Sequence, residues 1–174
     1  PAVDLILGKQ KTTIVGSGQS GVNFRTFPVQ LQQKLREYVN GGGNLLVSGA
    51  YVASDLYDSR STDADKAFAR EVLGVAPGES RSHNGRLSSR TGSQNYNFNT
   101  TLNDKIYIVE RPDELVPENG ATTLMKFGDT GAAAAVSHKF GKGRVVTMSV
   151  PFETIDNEDE RDALMKDLFK SFNK

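Results

Sequence analysis

The sequence predicts an α/β protein: a three-layer sandwich with a mostly parallel sheet and an antiparallel hairpin late in the chain. Three observations predict it. Short apolar runs alternate with amphipathic segments through the first half. A helical pattern stops at Gly41-Gly42-Gly43 and leads directly into the apolar strand Leu45-Leu46-Val47. Two β-rich stretches flank Gly141-Lys142-Gly143 before a closing helix. Strands that alternate with helices favour parallel pairing covered on both faces, and a glycine-containing two- or three-residue gap between extended runs favours a hairpin.

In order, Ala2 to Gly8 reads as a short buried strand, because Val3, Leu5, Ile6 and Leu7 form a nearly continuous apolar run. Lys9 to Thr26 is polar and glycine-rich and reads as loop, with a brief extended piece over Thr12 to Val15. Pro28 to Asn40 reads as a helix with Leu31, Leu35 and Tyr38/Val39 on one face. Glycine then ends it, and Asn44 to Gly49 forms a second buried strand. Thr62 or Asp63 caps a helix that runs to about Leu73 and stops at Gly74. Ala76 to Ser93 is polar and irregular, with short strands over Gly85 to Ser89 and Gln94 to Asn99, and Ile106 to Glu110 is a further strand. Thr122 to Phe127, Ala132 to Phe140 and Arg144 to Val150 are the later strands, and Asp156 to Phe172 is the last helix, with Leu164, Leu168 and Phe172 on its inner stripe. This order fits a flavodoxin-like sheet with insertions.

At 174 residues the chain suits one α/β domain over 1–174. It opens without Met or a signal peptide, which reads as a fragment of a longer protein. Lys and Arg number 21 and Asp and Glu 21, and the zero balance argues against nucleic acid as a partner. No run approaches the roughly 20 apolar residues of a membrane span, so no membrane insertion is expected. The absence of cysteine removes thiol nucleophiles and thiolate metal sites.

Several residues invite chemistry. Gly16-Ser17-Gly18-Gln19-Ser20-Gly21 matches the G-x-G-x-x-G spacing that lets backbone approach a pyrophosphate, but no helix opens directly after it and no acidic residue ends a second strand about 20 positions on, so it reads as a flexible loop. A phosphate ligand at this loop is the third-ranked reading. Ser48-Gly49 closes a buried strand, where α/β sheets place ligands, yet Leu46 stands where a nucleophile elbow needs glycine. Asp55 follows in the adjoining loop as a ligand contact or a turn cap. His83 lies beside Arg81, Asn84 and Arg86, a set that could hold an anion or a sugar, while the plainer reading is surface. His138 reads as part of a solvated hairpin face. Tyr96, with Phe98, Tyr107 and interleaved asparagines, has the composition of a sugar contact, and the plainer reading turns its ring to the core. Glu153 precedes the last helix and points to the sheet's carboxyl edge, whereas Asp156 to Glu160 serve as helix cap and dipole partners. The candidate ligand contacts are therefore Ser48, Gly49, Asp55, His83, Tyr96 and Glu153. No catalytic residue, metal or cofactor is assigned: two isolated histidines do not make a zinc site.

Val3 to Gly8, LREYVNGGGNLLVSGAYVASDL (Leu35 to Leu56) and GKGRVVTMSVPFETI (Gly141 to Ile155) together resemble the α/β domain of secreted bacterial xanthan-lyase-like proteins, itself similar to class I glutamine-amidotransferase folds. Gly42, Gly43, Asn44, Ser48, Gly49 and Asp55 match one family segment, and Phe152, Glu153 and Ile155 match the other, with Val150 where Phe is usual. The resemblance implies a flavodoxin-like fold and a place in polysaccharide processing as part of a secreted protein, extracellular or periplasmic. Amidotransferase chemistry is excluded, because the chain has no cysteine. The expectation that follows is a non-catalytic module of a polysaccharide-processing protein, a scaffold or glycan binder whose partners are polysaccharide and neighbouring domains of the same polypeptide. The alternative is a hydrolase or polysaccharide lyase in which Ser48, Asp55, Glu153 and a histidine converge at the carboxyl edge of the sheet.

Overall fold

The computed structural model describes residues 3–7, 26–100 and 109–172. The expected G-x-G-x-x-G loop and most of the strand over Ile106 to Glu110 lie outside these residues. The elements are β1 (Val3–Leu7), α1 (Val29–Asn40), β2 (Asn44–Ser48), α2 (Val52–Asp55), α3 (Asp63–Phe68), β3 (Val75–Ser80), β4 (Arg86–Ser89), β5 (Asn95–Asn97), β6 (Asp113–Pro117), β7 (Thr122–Phe127), β8 (Ala133–Phe140), β9 (Gly143–Met148) and α4 (Glu158–Phe172). A wide helical turn (Ala69–Leu73) extends α3, and Gly74 ends it in the left-handed region at φ 73°.

The strands form one mixed, forked sheet. Its main path runs β1-β2-β9-β8-β7-β4-β5, and β6 leaves the path from β8 to pair with β3. Among the described residues only β1–β2 and β2–β9 are parallel. Every other pairing is antiparallel. This corrects the expected mostly parallel, flavodoxin-like sandwich. The short strands expected over Gly85 to Ser89 and Gln94 to Asn99 are present as β4 and β5, but β3 and β6 were not expected, and the five-residue connections from β3 to β4 and from β4 to β5 are too short for a parallel crossover.

Thr62 caps α3 with a reciprocal pair: its Oγ1 accepts from Asp65 N–H at 3.3 Å, and Asp65 Oδ2 accepts from Thr62 N–H at 2.8 Å. In the centre of the sheet β2 is buried at all five positions, which is why its sequence is a continuous apolar run rather than an alternation. Leu45 and Val47 face a core with α1, α2 and α3, and Leu46 faces a second core with α4. In β9, Val145 joins the first core and Val146 and Met148 the second. A fully buried leucine or valine contributes roughly 1.5–3 kcal/mol, so these central strands anchor the layer on which the loops are hung. The hairpin from β8 to β9 turns at Gly141, with φ 57°. Gly143 sits so close to the carbonyls of Gly43 and Val39 that a Cβ there would overlap them.

Candidate functional site at the carboxyl end of the parallel strands

β2 and β9 run side by side and end together, Ser48 opposite Met148. The chain leaves both strands here, so backbone groups that the sheet no longer pairs must be satisfied locally. Gly49 N–H donates to Met148 O at 3.0 Å, and Asp113 N–H donates to Ala50 O at 2.8 Å. Ser48 completes the closure. Its hydroxyl donates to Val150 O at 3.1 Å and accepts from Phe152 N–H at 2.7 Å. With the residue 1% exposed, its proton donated and a lone pair occupied, Ser48 is a tie across the exit of β9, buried away from any ligand. Gly49 does not occupy the left-handed region, so this turn makes no such demand for glycine.

Outside this seal lies a shell of carboxylates. Asp113, at the start of β6, is fully buried; its Oδ2 accepts from Ser54 N–H and its Oδ1 from Ser80 Oγ, each at 2.8 Å. Burial raises its carboxyl above the ordinary aspartate value, against the opposing effect of these bonds. It fastens α2 to β3 at the fork of the sheet. Arg111 clasps the same point, donating from Nε and Nη2 to Ser80 O at 3.1 and 2.8 Å. Tyr51 is half-buried beside them, and burial raises its phenol as well. Asp55 is half-buried and accepts from Thr26 N–H at 3.0 Å. Glu153, also half-buried, sits in a single 3-10 turn (Phe152–Thr154) directly after β9.

Four of the six residues nominated from sequence thus gather at this rim: Ser48, Gly49, Asp55 and Glu153. The two others do not. His83 stacks on Phe127 of β7, three strands along the sheet from Ser48 on β2, about 14 Å at roughly 4.8 Å per strand. Tyr96 is 2% exposed, and its hydroxyl donates to Asp167 of α4 at 2.7 Å. Its ring belongs to the second core, so no face is open for a sugar to stack on. Burial first, then the bond to Asp167, pushes its phenol well above the ordinary tyrosine range. A small cavity of about 60 Å³ opens beside it, lined by Ser89, Leu124, Leu164 and Asp167 among others, too small for a pyranose. His138, expected on a solvated face, is 5% exposed, and its Nε2 pairs with Glu71 O at 2.8 Å. It lies opposite Val145, three residues back from the rim, about 10 Å. Neither histidine can therefore join Ser48, and the expected convergence on a shared reactive centre does not form.

The residues sequence reasoning missed are Asp113, Ser54, Ser80 and Arg111. A signal existed in Asp113-Glu114, charges set in an otherwise β-compatible run, but the partners lie 59 and 33 residues away. Among the described residues no group of three or more histidine and carboxylate side chains is placed to hold a metal ion, and no helix is long and apolar enough to cross a membrane.

No protein-family model and no curated protein matches the sequence. The fold has solved neighbours. It is similar to the β-galactosidase of the Antarctic haloarchaeon Halorubrum lacusprofundi, at 17% identity and a TM-score of 0.57, over 83% of this chain and 20% of that one. It is similar to Gan42B, a GH42 β-galactosidase from G. stearothermophilus, at 18% identity and 0.56, over 83% and 20%. A cytoplasmic protein from Salmonella typhimurium matches at 14% identity and 0.53, over 97% of this chain and 69% of its own. At such identities the likeness is one of fold. The chain spans about a fifth of the length of the β-galactosidases it matches. These neighbours replace the expected kinship: the resemblance to the amidotransferase-like domain of xanthan-lyase-like proteins is corrected to a likeness with chains of glycosidases.

Proposed function

We propose that this chain is a module of a glycoside-hydrolysing polypeptide, and that carbohydrate meets it at the rim where β2 and β9 end. The observation that carries the reading is the fold likeness to β-galactosidases over 83% of the chain. Of the readings made from sequence, the hydrolase gains from this likeness and the lyase does not. The reading extends to polymeric sugars as the substrate class and to a location outside the cytoplasm, where such sugars are met.

Glycoside hydrolysis needs two carboxyl groups flanking the scissile bond, about 5–5.5 Å apart for retention and about 6.5–9.5 Å for inversion. In this rim Ser48 is consumed by the backbone and Asp113 by α2 and β3. Asp55 and Glu153 are half-buried at this rim, and we assign them to sugar hydroxyls rather than to bond cleavage. The cleaving pair belongs to the rest of the polypeptide.

The test is steady-state kinetics of the whole polypeptide on an aryl β-galactoside, with Asp55→Asn and Glu153→Gln. Losing one hydrogen bond to a hydroxyl raises KM by roughly two- to tenfold with kcat nearly unchanged. A kcat collapse of about a thousandfold or more would make one of them a catalytic carboxylate. Unchanged KM and kcat in both would remove carbohydrate from this rim.

A further inference from the structure

His83 stands in the loop between β3 and β4 with its side chain wholly buried. Its ring lies flat on Phe127, centroids 3.6 Å apart and planes within 4°, and this stack fixes the plane in which both nitrogens point. Nδ1 is 2.9 Å from Asp129 Oδ1 in the turn between β7 and β8. Nε2 is 3.9 Å from Glu114 Oε1 on β6. Both Nε2 and Oε1 are buried, and among the described residues neither has a hydrogen-bond partner. Buried polar atoms of native proteins are almost always satisfied, so this pair asks for a third party.

Asp129 sets the tautomer. Its Oδ2 accepts from Asn84 N–H at 2.9 Å and its Oδ1 from Thr130 N–H at 3.0 Å. Burial opposes its ionisation, but the bonds from His83 and from backbone N–H groups outweigh that and hold its carboxyl below the ordinary aspartate value. An ionised Asp129 only accepts, so Nδ1 carries a hydrogen. In the neutral imidazole that metal ions bind, the lone pair is then on Nε2, the atom turned to Glu114. Histidines that ligate metals have this arrangement: one nitrogen donates to a carboxylate, which orients the ring and raises the basicity of the other.

The 3.9 Å separation is too long for a hydrogen bond and suits two ligands of one ion. Zinc lies about 2.0–2.1 Å from an imidazole nitrogen and about 2.0–2.2 Å from a carboxylate oxygen. Two such bonds span roughly 4.0–4.3 Å in line and roughly 3.3–3.5 Å at the tetrahedral angle. The native separation falls between these, so a movement of about half an ångström by the Glu114 side chain reaches tetrahedral geometry. One nitrogen and one oxygen donor favour zinc over magnesium or calcium, which take oxygen throughout. Charge agrees: two carboxylates flank the ring, and among the described residues neither pairs with a lysine or arginine.

We propose that His83 Nε2 and Glu114 Oε1 are the protein ligands of a zinc site, with Asp129 as the carboxylate that orients the imidazole. Water completes the coordination. The two ligands come from separate parts of the fold, the loop before β4 and the forked arm carrying β6. The ion ties that arm to the rest of the sheet. Neighbouring residues of a strand face opposite ways, so Asp113 fastens one side of β6 and the ion fastens the other. The site is structural, lies away from the rim of β2 and β9, and does not depend on the carbohydrate reading.

Equilibrium urea unfolding with rising free zinc tests this on the native chain and on Glu114→Gln, whose neutral amide is a poor zinc ligand and can donate to Nε2. Once free zinc exceeds its dissociation constant, each tenfold increase should lower the native unfolding constant about tenfold, and the variant should show no such dependence over the same range. No response of the native chain, as a bridging water would give, overturns the site. So does an equal response of the variant, or an equal response of the native chain to magnesium or calcium. A second readout needs no variant: in the imidazole ¹⁵N spectrum of the native protein, zinc should move the His83 Nε2 resonance, and an unmoved resonance overturns the proposal.

Discussion

Replacing Ser48 by alanine isolates the tie that closes the rim. The native hydroxyl serves two backbone groups, accepting from Phe152 N–H at 2.7 Å and donating to Val150 O at 3.1 Å. In Ser48→Ala the Phe152 N–H loses its partner, which costs about 1–3 kcal/mol for a buried donor, and the bond to Val150 adds about 0.5–1.5 kcal/mol. Together these predict a loss of about 1.5–4.5 kcal/mol. For a chain of 174 residues that is a fall in Tm of roughly 5–12 °C. Ser149→Ala is the control. The Ser149 hydroxyl donates to Ala134 O at 3.1 Å, but Ser149 N–H reaches the same carbonyl at 2.9 Å, so the carbonyl stays satisfied. That variant should lose about 1 kcal/mol or less. The assay is equilibrium urea unfolding followed by far-ultraviolet circular dichroism, with calorimetry for Tm. Equal losses in the two variants, or a loss below about 0.5 kcal/mol in Ser48→Ala, would refute the reasoning.

Tyr96→Phe removes the bond to Asp167 and should cost about 1 kcal/mol by the same unfolding assay. The Tyr96 hydroxyl, foremost, and Lys170 hold the Asp167 carboxyl below its ordinary value against the effect of burial. A lowered carboxyl contributes stability that is present above the unfolded value of about 3.9 and lost as pH falls through the folded one, so Tyr96→Phe should lose less stability than the native chain on acidification below about pH 4. Gly143→Ala drives a methyl group into the carbonyls of Gly43 and Val39, neither of which is the end of a flexible side chain. It should cost about 3 kcal/mol or prevent folding, read out as loss of the cooperative transition.

The central layer was legible because its physics is local. Leu45-Leu46-Val47 announces a strand buried on both faces, and glycine after an amphipathic run announces the end of α1. The hairpin at Gly141 and the Leu164–Leu168 face of α4 were legible for the same reason. β3 was hidden by Pro77, Gly78 and Glu79, residues tolerated there because β3 pairs only with β6 and carries an irregularity between Pro77 and Ser80. β6 was hidden by Asp113, Glu114 and Pro117. Pairing partners beyond the hairpin were illegible: nothing near Leu87 says that it meets Phe127, the pairing that carries the antiparallel arm on from β7 to β4. The site followed the same division. Ser48 was recognised as standing at the sheet's edge, but its partners lie 102 and 104 residues away, so its structural role could not be read. His83 looked like a surface group because its neighbours in sequence are polar, whereas its neighbours in space are Phe127, Asp129 and Glu114.

The most direct test of the account is a comparison of aryl β-galactoside turnover by the isolated 174-residue chain, by the polypeptide its gene encodes, and by that polypeptide with this module deleted. The account predicts no turnover by the isolated chain, turnover by the whole polypeptide, and impaired turnover without the module. Hydrolysis by the isolated chain, or full activity after the deletion, would contradict it.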